Sequence, residues 1–314
     1  MRPIPLFAAT ICIAFAQGGC DNPPPCNSKS AEPVHFILTF DDGPFPADIA
    51  DKEAATPEEL LSPLRTILDT LSRRRVQAVF YTAGPGPDAA AQLTDKFGDG
   101  IVAIHQSGHV LGYHAFAHFT YIWANPLLPP GISEPIMDAD LDRLVGLIDT
   151  SLAPRSMSQG EMFSPIFRQP YGGVAMCSFE GEKIASRRGW AYHGYHIDGG
   201  DWLTNADADP AIRDRLGLQD EASSVAYVKS CLRAGAAKNQ GCGAVDVLFH
   251  VNSFTARNLD IWIDELDAIV GAPLASSFVN SQSPKFEVPD AYLHNSDGFI
   301  DMQTEGNLQG IARP

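Results

Sequence analysis

The sequence predicts an α/β protein, a parallel sheet with helices packed outside it. Three observations carry this. Short apolar runs alternate with amphipathic segments along most of the 314 residues, the order expected of β-α units. An apolar content of 45% with 19% charged residues suits a chain that buries a core. Polar residues able to do chemistry fall where the apolar runs end, and a parallel sheet gathers such ends on one side.

The elements follow in order. His35 to Phe40 is an apolar run that stops at Asp41-Asp42-Gly43-Pro44, a turn. Thr56-Pro57-Glu58-Glu59 is a capping box with proline at the first helical position, and Leu60, Leu64, Ile67, Leu68 and Leu71 continue it at helical spacing. Arg73-Arg74-Arg75 reads as its C-terminus, with cations facing the helix dipole. Val76 to Tyr81 predicts a strand, residues 87–106 a weaker helix, and His109 to Leu111 a short strand. The four prolines of 124–135 predict an irregular loop. Asp138 to Leu152 predicts a helix with Leu141, Leu144, Val145 and Ile148 on one face. Further strands are expected at Pro165 to Phe167, Tyr192 to Ile197 and Val245 to Phe249, with helices near 179–188, 222–236 and 256–270.

The first nineteen residues read as an export signal, with Arg2 before the apolar run Leu6 to Ala16, too short to span a bilayer as a mature helix. Cleavage after Ala16 would release a secreted or periplasmic protein, whereas Gly18-Gly19-Cys20 resembles a lipoprotein box and would place a lipid on Cys20 at the cell envelope. Residues 20–33 are rich in Pro, Asn and Ser and read as a tether. The compact domain is expected over 34–314, weakly patterned from about 271. With Cys20 lipidated, four cysteines outside the signal remain, enough for two disulfides in an oxidising compartment. Cys231 and Cys242, bracketing a short loop, are the expected pair. The formal charge of −16 and the lack of a larger basic cluster argue against nucleic acid or anionic lipid as partners. A membrane is expected only through the possible lipid anchor.

Five strand ends carry the polar groups: Asp41 and Asp42, then His114 and His118, then Arg168, then Asp198 and Asp201, then His250. Each has an ordinary reading, as a turn, a surface ion pair or a packed histidine. Their shared position favours a cluster. Asp42, His114 and His118 make a plausible ligand set for one divalent metal, best Zn²⁺, since two nitrogens, one oxygen and an open position suit a catalytic zinc. The His-x-x-x-His spacing suggests a helical turn. Such a cation resolves the paired aspartates, because Asp42 turns to the metal while Asp41 takes a proton from a metal-activated water. Arg168 beside Asp41 would favour its charged form, and His250 is the available general acid, with Asp198 the expected carboxylate beside it. The backbone N–H of Tyr171 is a candidate oxyanion donor.

"TFDDGP", "HAFAH", "RQPYG", "DGGDW" and "LFH" occur in this order. They resemble the five motifs of the polysaccharide deacetylase family, carbohydrate esterase family 4, also called the NodB homology domain. The resemblance covers about 38 to 250. It implies a distorted, incomplete parallel (β/α) barrel, TIM-like with about seven strands, and metal-dependent removal of acetyl groups from an N- or O-acetylated polysaccharide or oligosaccharide, such as peptidoglycan, a chitin-like or a xylan-like polymer. It also implies Asp41 as base, Asp42, His114 and His118 as metal ligands, Arg168 as activator of the base, and His250 as acid with Asp198 beside it. Trp202 would line the groove and Leu248 would shape the acetyl pocket. One departure is Ala115, where the family usually has Ser or Thr to brace the loop. Two other readings stand beside this one: a carbohydrate-binding protein on an inactive scaffold, and a hydrolase of a small amide or cyclic imide.

Overall fold

Residues 35–46, 55–86, 89–117, 133–170, 180–204, 210–239 and 244–270 are described in the computed structural model of the chain. Alternation decides how the first strand is placed. In β1 (His35–Gly43), Phe36, Leu38 and Phe40 enter the large core shared with the helices, while Ile37 enters a separate apolar cluster with Val79, Tyr81, Val110, Ile166, Ala191 and Ala244. The sheet is therefore buried on both faces, as parallel sheets are.

Six further strands join it: β2 (Ala78–Ala83), β3 (Val110–Ala115), β4 (Phe163–Phe167), β5 (Ala191–Tyr192), β6 (Ile197–Asp198) and β7 (Ala244–His250). Their order is β5-β4-β3-β2-β1-β7-β6, and every pairing is parallel. The two outermost strands, β5 and β6, are consecutive in the chain and only residues 193–196 separate them. Extended chain spans at most about 3.6 Å per residue, so the two edges of the sheet must lie close together. The sheet is curled into a barrel whose last gap is bridged by this link. Backbone bonds run from both ends of the link, His193 N–H to Phe167 O at 2.8 Å and His196 N–H to Asp246 O at 3.0 Å. The expected incomplete barrel of about seven strands is what the described residues form.

Helices cover the outside. α1 (Pro57–Arg74) begins with the expected capping box: Thr56 N–H donates to Glu59 Oε2 at 2.7 Å and Glu59 N–H to Thr56 Oγ1 at 3.2 Å. Arg75 closes it in the left-handed region at φ 56°. Its arginines also face α8 (Ser253–Val270), with Arg73 2.9 Å from Asp260. α2 (Ala90–Gln106), α5 (Glu180–Arg188) and α7 (Glu221–Lys238) occupy the expected stretches.

Several elements differ from expectation. α3 (Ser133–Leu152) starts five residues before Asp138 and takes Pro135 into its first turn, where a missing N–H loses no helical bond. α4 (Gln159–Met162) and α6 (Pro210–Leu216) are short helices in stretches for which the sequence predicts no element. The single strand expected over Tyr192 to Ile197 is two strands at opposite edges of the sheet. β3 runs on to Ala115, so His114 lies on a strand and not on a helical turn. Gly112 within β3 faces the barrel interior, where an added Cβ would come within 2.8 Å of Ile166 and 2.9 Å of Tyr81.

Candidate active site at the carboxyl end of the barrel

The end of β1 answers why two aspartates stand together. Regular alternation would send their side chains to opposite faces. Instead the register with β2 slips between Phe40 and Gly43, and Asp42 adopts φ 67°. A bulge of this kind re-aims a side chain, and aspartate tolerates the left-handed region better than most residues. Both carboxylates then face one imidazole: His114 Nε2 lies 3.8 Å from Asp41 Oδ2 and 3.5 Å from Asp42 Oδ1.

His114 is held from behind. Its Nδ1 is 2.8 Å from the backbone O of Arg168. A carbonyl only accepts, so Nδ1 carries the hydrogen and, in the neutral ring, Nε2 presents its lone pair to the two carboxylates. Arg168, at the end of β4, is fully buried inside the barrel. Its Nη1 donates to Asp41 Oδ1 at 2.9 Å and Thr39 Oγ1 at 2.7 Å, its Nε to His193 O at 3.3 Å, and its Nη2 to Gly194 O at 2.5 Å. The guanidinium lies 4.2 Å over the Tyr81 ring. Carbonyls, a hydroxyl and a carboxylate thus satisfy a cation that could not otherwise be buried.

On the neighbouring strand β7, which runs in register with β1, His250 stands directly beside Asp41. The carboxylate partner of His250 is Asp201, and not Asp198 as the sequence suggested. Asp201 Oδ1 is 2.9 Å from His250 Nδ1, while Oδ2 accepts from His250 N–H at 2.8 Å, Asn252 Nδ2 at 3.2 Å and Thr255 Oγ1 at 2.5 Å. Asn252 also takes the Thr255 N–H at 2.7 Å, so Asp201 lies against the first turn of α8. Asp198 is occupied locally: it accepts the Gly200 N–H at 2.8 Å and the Trp202 indole N–H at 3.2 Å. An Asp followed by two glycines favours such a turn, although the sequence does not say which of the two carboxylates reaches His250. Burial raises the Asp198 carboxyl above the ordinary range, against the Gly200 bond and nearby His250. For His250, burial opposes the charged ring, but the Asp201 carboxylate outweighs it and, with Asp42 and Asp41, pushes the pKa up to about 10.

The other expected positions divide. Leu248 is buried on β7 and pairs with Asp198. Trp202 is half-buried and packs against a small cluster of Leu203, Leu216, Leu218, Tyr227 and Cys231. Cys231 is disulfide-bonded. His118, Tyr171, Cys242, Cys20 and the whole signal and tether region lie outside the described residues. Sequence reasoning missed Thr39, Asn252 and Thr255, whose roles depend on contacts across the sheet.

A neutral imidazole nitrogen facing two carboxylates brings acceptors together, and such a set calls for a cation. A proton on His114 is one: burial works against it, but Asp41 and Asp42 raise the pKa of the ring. A divalent metal is another, and the donors fit it, an imidazole braced by a carbonyl beside a carboxylate. Among the described residues no group of three or more His, Cys, Asp or Glu could hold a metal. The third expected ligand, His118, lies outside them.

Residues 28–176 match the polysaccharide deacetylase family. That span contains "TFDDGP", "HAFAH" and "RQPYG". In fold the chain is similar to a family 4 carbohydrate esterase from Streptococcus mutans, with 18% identity and a TM-score of 0.52 over 82% of this chain and 87% of that one. It is also similar to a polysaccharide deacetylase from Bacillus cereus, with 18% identity and a TM-score of 0.50 over 76% of this chain and 90% of that one. A comparison with curated proteins found no match. The resemblance read from the five motifs is thus to the family shared by the sequence match and the solved folds, and the seven-stranded incomplete barrel is the family 4 esterase fold.

Proposed function

We propose that this chain is a metal-dependent hydrolase that removes acetyl groups from an N- or O-acetylated polysaccharide or oligosaccharide. The observation that carries the reading is the placement of two proton-handling pairs side by side at one mouth, on the neighbouring strands β1 and β7. Asp41 is ion-paired to Arg168 at 2.9 Å, and His250 is bonded to Asp201 at 2.9 Å. Amide hydrolysis needs both a base for the attacking water and an acid for the leaving amine.

Asp42, His114 and His118 would hold the divalent cation, best Zn²⁺. Bound there, it would lower the pKa of a water and polarise the acetyl carbonyl. Asp41 takes the proton from the attacking water through the carboxylate oxygen that does not bind Arg168. His250 gives a proton from Nε2 to the departing nitrogen or oxygen, while Asp201 keeps Nδ1 protonated and the ring aimed outward. The Tyr171 N–H would add a donor to the oxyanion. Leu248 would set the floor of the acetyl pocket, and Trp202 would offer a face to a sugar ring. The N-terminal sequence supports export, free or lipid-anchored at Cys20.

The test is acetate release from acetylated chitin oligomers, peptidoglycan fragments and xylan, with the protein as purified, chelated, and resupplied with zinc. Release that chelator abolishes and zinc restores is expected. Asp41→Asn should lower it by about 10²–10⁴-fold. Release that ignores both the chelator and Asp41→Asn would overturn the assignment. Sugar binding without turnover would favour an inactive scaffold.

A further inference from the structure

The strand that carries His114 is followed at once by Ala115, Phe116 and Ala117. Ala115 has no hydroxyl to tie this segment down locally. The backbone is gripped from two sides instead. From the β2 side, Gly84 N–H donates to Ala115 O at 2.8 Å, an approach so close that a Cβ on Gly84 would lie 2.5 Å from Phe116 O. From α3, the carboxylate of Asp140 spans two successive amides, accepting Phe116 N–H at 2.7 Å and Ala117 N–H at 3.2 Å. Asp140 is only 4% exposed. Burial raises the Asp140 carboxyl above its ordinary range, and the Phe116 and Ala117 N–H groups oppose this, with Arg143 and His114 nearby. Asp140 therefore fixes the backbone of Phe116 and Ala117, the second and third residues after His114.

We propose that Asp140 is a positioning residue of the cation centre, setting the path of residues 116–117 and hence anchoring the strand end that carries His114. This rests on the reading that Asp42, His114 and His118 hold a divalent cation. It assigns to a helix residue 24 positions beyond Phe116 the bracing that Ala115 cannot supply. Partners that orient ligands typically change metal affinity by about 10–100-fold when removed.

The measurement is zinc affinity of the chelator-stripped protein by competition with a chromogenic chelator, without any turnover. Asp140→Asn keeps the shape but removes the charge and one acceptor, and should weaken zinc binding by about 10–100-fold. Leu144→Ala, a buried core change on the same helix, should lower the melting temperature while leaving zinc affinity within about threefold. In the native chain, the amides of Phe116 and Ala117 should exchange slowly and more slowly still with zinc, because coupling between the brace and the metal is reciprocal. Unchanged affinity in Asp140→Asn, an equal loss in Leu144→Ala, or amides indifferent to zinc would each overturn the proposal while leaving the metal reading intact. A native chain that binds no zinc would overturn both.

Discussion

Asp201 has four donors on two oxygens and no exposure to solvent. Three of the four converge on one oxygen, which leaves the other directed at His250 Nδ1 and fixes the imidazole by geometry as well as charge. Thr255→Val would leave that oxygen short of one charge-assisted bond, a loss of about 1.5–3 kcal/mol of stability measurable by chemical denaturation. Asp201→Asn tests the electrostatics. A histidine whose pKa is raised from 6.5 to about 10 adds stability that is fully present below 6.5 and is lost as pH rises through 10. Unfolding of the metal-stripped native protein should therefore become easier between about pH 7 and pH 10, and the Asp201→Asn profile should be flatter over that range. A native profile already flat there would contradict the assignment. At this scale much of the site was legible, because Asp41, Asp42, His114, Arg168 and His250 all stand at strand ends in the sequence. The exchange of Asp198 for Asp201 was not, since it depends on which carboxylate the Gly-Gly turn captures. Nor was the bulge at Asp42, since nothing in "DDG" distinguishes a plain turn from a slipped register.

Elements were read best where periodicity is long. α1 has a repeating apolar face and a clear start, and α1, α7 and α8 occupy the expected stretches within a few residues. The strands at the sheet's edges failed because two-residue strands have no period to detect. The apolar character of 191–197 is continuous in the chain but divided in space. β3 runs past the expected His109 to Leu111 and through Gly112, a residue that weakens a strand pattern in a sequence. In the barrel it is a requirement, since it leaves room for the Tyr81 ring on which Arg168 rests. Gly112→Ala should destabilise the protein by about 1–3 kcal/mol through overpacking, seen as a lower melting temperature. It should also reduce acetate release by displacing Tyr81 beneath Arg168. Full activity in a stable Gly112→Ala protein would show that the stacking is dispensable.

Seen as a whole, the barrel is not an apolar cylinder with a polar rim. Beneath the mouth, Asp246 is buried with His193 and His196, its oxygens 3.4 Å from His193 Nε2 and 3.1 Å from His196 Nδ1. Burial resists the charged carboxylate, yet the two histidines hold its pKa below the ordinary range. Asp246→Asn breaks a buried charge network by removing one partner, and a loss of about 3–5 kcal/mol is expected in denaturant titrations. A change below about 1 kcal/mol would mean the cluster is solvated in solution. Residues 193–196 connect this interior to the chemistry above it. They join β5 to β6, and the carbonyls of His193 and Gly194 receive the guanidinium that pairs with Asp41. The seam of the barrel and the socket of its buried arginine are thus one piece of chain, four residues long. A change of length there would act on the closure of the cylinder and on the seat of the arginine in the same stroke, unlike a change in a surface loop.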